Sequence, residues 1–110
     1  MTQQVEFEQD RGIYGKKSWT GYCPMLTSPF AVFKDEKGWA LGHRKTGLSV
    51  NSLIPKGHRI TRKSLLDLLT RMEQAEPEAM AAMNEVTGFP IHKDYRWAGQ
   101  KLIDWSRARG

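Results

Sequence analysis

Cationic and imidazole side chains bunch in two short runs, His43-Arg44-Lys45 and Lys56-Gly57-His58-Arg59, and Arg62-Lys63 follow the second run directly. Guanidinium forks and ammonium groups in such density are suited to phosphate oxygens. Thr61 has the form of a helix N-cap, which places Arg62 and Lys63 in the first helical turn. A cation there meets the positive end of the helix dipole, at a cost of about 0.3–1 kcal/mol apiece. An anion held by the free N–H groups would offset that cost. The expected role of Arg44, Lys45, Lys56, His58, Arg59, Arg62 and Lys63 is contact with the phosphate backbone of DNA or RNA, without catalysis.

Charge distribution points to the same stretch. The net charge is +5, and residues 34–63 hold eight cations against two acids, whereas residues 64–90 hold one cation against five acids. A basic balance favours anionic partners. Stacking groups would have to lie beside the cations for nucleic-acid recognition. Trp39 next to a glycine turn, Tyr14 in GIYGKK and Trp97 beside Arg96 are the rings to look for at the surface.

Two other function classes fit the composition. One is an accessory protein of the phage or plasmid kind, which inhibits or adapts a nucleic-acid-processing or host-defence protein through an apolar face at Phe30–Phe33 or through Met80, Met83 and Val86. The other is a metal-free ribonuclease, with His43 or His58 as acid or base and Arg44, Arg59 or Arg62 stabilising the transition state. His43, His58, His92 and Cys23 show no paired-ligand spacing, so no metal and no cofactor is expected. Cys23, the single cysteine, reads as a small buried hydrophobe in a reducing, cytoplasmic setting. The first residues lack a basic start and apolar core of the secretory kind, and no apolar run nears the roughly 20 residues that span a bilayer.

The elements that must position these groups read as one α+β domain over residues 1–110. Three short apolar runs, Phe30 to Lys34, Trp39 to Arg44 and Leu48 to Ser52, are separated by Asp35-Glu36-Lys37-Gly38 and Lys45-Thr46-Gly47, which have hairpin-loop length and composition. An antiparallel three-stranded meander over 30–52 is predicted. Trp39, Leu41 and His43 share one of its faces, while Phe30–Phe33 is apolar on both. Residues 1–29 form an arm or supply extra strands at Gln4 to Glu8 and Ser18 to Tyr22, with Trp19 and Tyr22 pinning it to the core.

Three helices are predicted across residues 62–108. The first, 62–74, carries Leu65, Leu66, Leu68, Leu69 and Met72 on one face. The second starts at Pro77 and ends at Thr87-Gly88, with a left-handed cap at Gly88-Phe89 and a stop at Pro90. The third is capped by Asp94 and buries Tyr95, Ala98, Leu102 and Trp105. The layout over residues 30–74, a small sheet with basic loops braced by a helix, resembles the three-stranded DNA-reading domains of phage integrases and of plant transcription factors, without their diagnostic motifs. That resemblance implies DNA contact from the sheet and its loops.

Overall fold

The computed structural model describes residues 2–88 and 91–109. Strands β1 (Gln3–Asp10), β2 (Lys16–Cys23), β3 (Phe30–Asp35) and β4 (Gly38–His43) form one antiparallel sheet in that order. Helices α1 (Arg62–Ala75), α2 (Pro77–Met83), α3 (Ile91–Asp94) and α4 (Arg96–Arg107) follow, giving an α+β fold. The N-terminal arm supplies both extra strands, paired from Gln3 with Cys23 to Asp10 with Lys16.

The third run of the predicted meander is not a strand. Ser49 makes a single bridge to Gly42, and a 3-10 turn, Asn51–Leu53, follows at once. Asn51 explains the break: its side-chain oxygen accepts the Leu41 N–H at 2.8 Å, taking the place of a backbone carbonyl in the ladder.

Across the sheet, side-chain alternation sets two different surfaces. Phe30, Val32 and Leu41 point to the helices and join Leu65, Leu68, Leu69, Met72, Met80, Met83 and Leu102 in the main core. Phe7, Ala31, Phe33 and Ala40 point the other way and form a second cluster flanked by Val5 and Trp19. The two-sided apolarity of Phe30–Phe33 is therefore satisfied internally, and all four residues are buried. Met80, Met83 and Val86 are buried too, which removes both apolar docking faces expected from sequence.

The second cluster exists because the sheet curls. In a flat sheet β1 and β4 lie about 14 Å apart, three strand spacings, which a phenylalanine cannot span. Phe7 on β1 nonetheless sits over Gly42 on β4 so closely that a Cβ at Gly42 would fall 2.1 Å from its Cζ. The Asp10 N–H donates to the Gly47 carbonyl at 2.8 Å, so the loop after β4 closes back on the first strand. Gly47 has φ +74°, and a Cβ there would meet the Glu8 carbonyl at 2.3 Å.

The helices differ from expectation at their ends. Thr61 caps α1 as predicted, its hydroxyl accepting the Ser64 N–H at 3.2 Å. Pro77 opens α2 with Glu78 in the first turn. That helix stops at Met83, earlier than the glycine signal indicated, and Gly88 has no left-handed φ. Phe89 and Pro90, the rest of that predicted stop, lie outside the described residues. Asp94 ends the short α3 instead of capping α4, whose N-cap is Tyr95. Ala98, Leu102 and Trp105 are buried on α4, and the Ser106 hydroxyl donates to the Leu53 carbonyl, tying this helix to the end of the sheet. Among the described residues no helix is long and apolar enough to cross a membrane.

Candidate functional site

The two basic runs do not make one site. The last four residues of β4, 40–43, a run of about 17 Å along the chain, separate Trp39, where Arg62 reaches, from Arg44. Arg44 directs Nη1 to the carbonyls of Leu26 at 2.7 Å and Ser28 at 3.1 Å, so its guanidinium braces the β2–β3 loop. Lys45 is exposed and borders a shallow depression with Glu6, Leu26, Ser28, Arg44 and Asn84, where a carboxylate already faces the cations.

His43 is withdrawn from solvent altogether. Its Nε2–H donates to the Met83 carbonyl at 2.7 Å, which leaves Nδ1 as the acceptor for the Thr46 hydroxyl at 2.9 Å and the Thr46 N–H at 3.3 Å. Burial pushes its pKa down, the bond to Met83 raises it and Lys45 lowers it further, with the net shift downward. The ring is a neutral strut between β4, the following loop and α2. Both ring nitrogens are taken up by protein partners in a site closed to solvent, the placement of a structural histidine. His58 is half-buried, with Nε2 at 3.2 Å from the Ser64 carbonyl in the first turn of α1.

Lys56, Arg59, Arg62 and Lys63 are exposed at the corner where the connector enters α1. Arg62 folds over the Tyr22 ring at 4.8 Å from its centroid and lies 6.0 Å from that of Trp39. This contact answers the sequence puzzle of a cation in the first turn, because the ring quadrupoles offset the unfavourable dipole. Tyr22 and Trp39 are a tilted pair with centroids 6.3 Å apart, and Lys34 stands 5.8 Å over Trp39 from the strand beside it. Beside them an open groove of about 310 Å³ is lined by Thr2, Gln4, Tyr22, Arg62 and Leu66.

Tyr22, Lys34, Gln4 and Leu66 belong to this constellation; none was among the expected phosphate contacts, and Tyr22 and Leu66 were read from sequence as core-facing groups. The signal was strand parity. Trp19 and Tyr22 are three apart, so on one strand they face opposite ways: Trp19 enters the concave cluster and Tyr22 turns to the α1 start. Of the three rings proposed as surface groups, Trp39 is half-buried in the pair, whereas Tyr14 is 83% and Trp97 49% exposed.

Tyr14 belongs to a separate feature. The β1–β2 hairpin ends in a tight turn, Gly12–Tyr14, with Gly12 and Gly15 at φ +67° and +80°. Ile13 at its tip is 94% exposed. Asp10 Oδ1 accepts the Gly12 N–H at 2.9 Å, and Arg11 reaches Glu36 at 2.5 Å, with Lys17 at 3.7 Å from the same carboxylate. Among the described residues no group of three or more His, Cys, Asp or Glu side chains is placed to hold a metal ion. Cys23 is fully buried, and burial pushes its thiol pKa up while Arg44 opposes the shift.

Comparison with protein-family models, with curated proteins and with solved structures gives no match to this chain.

Proposed function

We propose that this protein is a non-catalytic nucleic-acid-binding protein whose contact surface is the corner formed by Tyr22, Trp39 and the start of α1. The observation that carries the reading is the placement of Arg62 over Tyr22 beside Trp39, with Lys34 also over the indole. Aromatic faces edged by cations are the working parts of nucleic-acid surfaces: rings stack on bases, and cations track the backbone. Arg62, Lys34, Lys63, Arg59 and Lys56 supply the charge. Arg44 and His43 hold the scaffold, and Lys45 lies apart from the contact.

Fluorescence titration with DNA and RNA oligonucleotides at 50 and 200 mM salt tests this. Three neutralised phosphates on a single strand predict a fall in affinity of about 20-fold between those conditions. Arg62→Glu should weaken binding at low salt, and an absence of binding by the wild type at 50 mM salt would refute the proposal.

The hairpin tip favours a second reading, as a protein-docking module. Ile13 and Tyr14 are displayed on a braced turn, and the nearby cations Arg11, Lys17 and Lys16 are matched by Glu36 and Glu8, so the rim suits a protein pocket better than a phosphate chain. A biological effect that survives Arg62→Glu and is lost on Ile13→Ser with Tyr14→Ser would move the assignment there.

A further inference from the structure

We infer that the groove beside Tyr22 takes one unpaired base, so that the nucleic acid bound at this corner is single-stranded; this rests on the nucleic-acid reading above. Three features of the groove point this way. Its lining includes the Tyr22 ring with the Arg62 guanidinium carbon over it at 4.8 Å from the centroid, and the outer side of an exposed arginine held over a ring offers a stacking surface to a flat base. Its rim holds the Gln4 carboxamide, which offers both a donor and an acceptor to a base edge, and Thr2. Its wall is the half-buried Leu66, which excludes water from one side of a seated ring.

Duplex recognition lacks the corresponding parts. A helix that reads a major groove needs cations and base-reading groups along its outer face, whereas beyond Lys63 the exposed positions of α1 are Asp67, Arg71, Gln74 and Ala75, which set a carboxylate against the one further cation. A concave site of about 310 Å³ can admit the edge and faces of a single base but not a pair still stacked in a helix. The exposed Lys63, next to Arg62 in the chain, and Lys34, over Trp39, supply charge for the phosphates of neighbouring nucleotides.

The experiment compares labelled dT10, rU10, a 20-base-pair duplex and a pyrimidine mononucleotide by fluorescence anisotropy or competition at 50 mM salt. The decamers should bind at least about tenfold tighter than the duplex and than the mononucleotide. Tyr22→Ala removes the ring that holds the Arg62 guanidinium in place as a stacking surface, so it should cost single-strand affinity about 5- to 100-fold, the range for one stacked base, and leave duplex affinity unchanged. Gln4→Ala, on the exposed edge strand, should give a smaller loss of the same selectivity without touching the core. Circular dichroism confirms that both variants are folded, and Gln4→Ala keeps the test open should Tyr22→Ala fail to fold. Equal binding of duplex and decamer, a mononucleotide as tight as a decamer, or a strand preference unmoved by folded variants would overturn this inference while leaving nucleic-acid binding standing. No binding to any of the polymers would overturn the underlying reading itself.

Discussion

Replacing Gly42 by alanine should damage this fold more than a single methyl group suggests. The added Cβ would lie 2.1, 2.6 and 2.8 Å from Cζ, Cε1 and Cε2 of Phe7, well inside van der Waals contact. The ring has nowhere to go. It is buried, it stacks on Phe33 at 4.5 Å between centroids, and its own Cβ stands 3.2 Å from the position a Cβ would take at Gly21. Relief therefore requires the curl of the sheet to open, moving β1 away from β4. Overpacking of a tight core costs about 1–3 kcal/mol, and this site belongs at the upper end. At about 4 °C per kcal/mol for a chain of this size, Gly42→Ala should lower Tm by about 8–12 °C. Urea and thermal denaturation followed by circular dichroism measure this directly. A double-mutant cycle isolates the cause: Phe7→Ala alone should cost about 3–5 kcal/mol, and in the Gly42→Ala background about 1–3 kcal/mol less, because the clash has gone. Stability of Gly42→Ala within about 0.5 kcal/mol of wild type, or strict additivity of the two changes, would show that the sheet does not curl as described.

Two further perturbations separate scaffold from contact surface. Arg44→Ala should lower stability by about 1–2 kcal/mol through the lost bonds to Leu26 and Ser28, while changing oligonucleotide affinity less than twofold; a tenfold loss of binding in a folded variant would return Arg44 to the contact surface. His43 is held neutral in the folded chain, whereas the unfolded chain takes up a proton near the ordinary imidazole value of 6.5. Its contribution to stability is therefore complete above pH 6.5 and declines as pH falls towards the lower folded pKa, since the unfolded state binds the proton first. Denaturation curves at pH 7.5 and 5 should show a larger drop for wild type than for His43→Gln, and equal drops would sink the assignment.

How much of this was legible in the chain depends on which interaction decided each element. Leu65, Leu68, Leu69 and Met72 announced α1, and Thr61 its start, because helical spacing and capping are local signals. The hairpin at Asp35–Gly38 was equally plain from its glycine and flanking apolar runs. The third meander strand failed because one side-chain amide, Asn51, substitutes for backbone pairing, and composition does not show where a side chain will bond. The left-handed cap anticipated at Gly88 failed because α2 stops at Met83, where Asn84 directs its amide to the Thr27 carbonyl across the fold. For the site, sequence found the cations of the connector and Trp39, but read Tyr22 as a core anchor and did not show that it turns to the start of α1. Arg62 was chosen for its place in a helix turn, but its geometry is set by Tyr22, forty residues earlier, and only the folded sheet brings them together.

The closing bond between Asp10 and Gly47 also shortens the open edge of the sheet. β1 is an edge strand, and the pairing that gives odd-numbered residues to β2 turns the backbone groups of Gln4, Glu6, Glu8 and Asp10 outward. The loop covers the edge at Asp10 and at the Glu8 carbonyl, and the side chains of Glu6 and Glu8 stand exposed along the rest. A second chain adding antiparallel at that edge would set carboxylates opposite one another, the arrangement that discourages strand-by-strand polymerisation. Exchanging both acids for valine removes that repulsion, and the expected outcome is association at high concentration, read by light scattering; a double variant that stays monomeric would refute the role given to the pair.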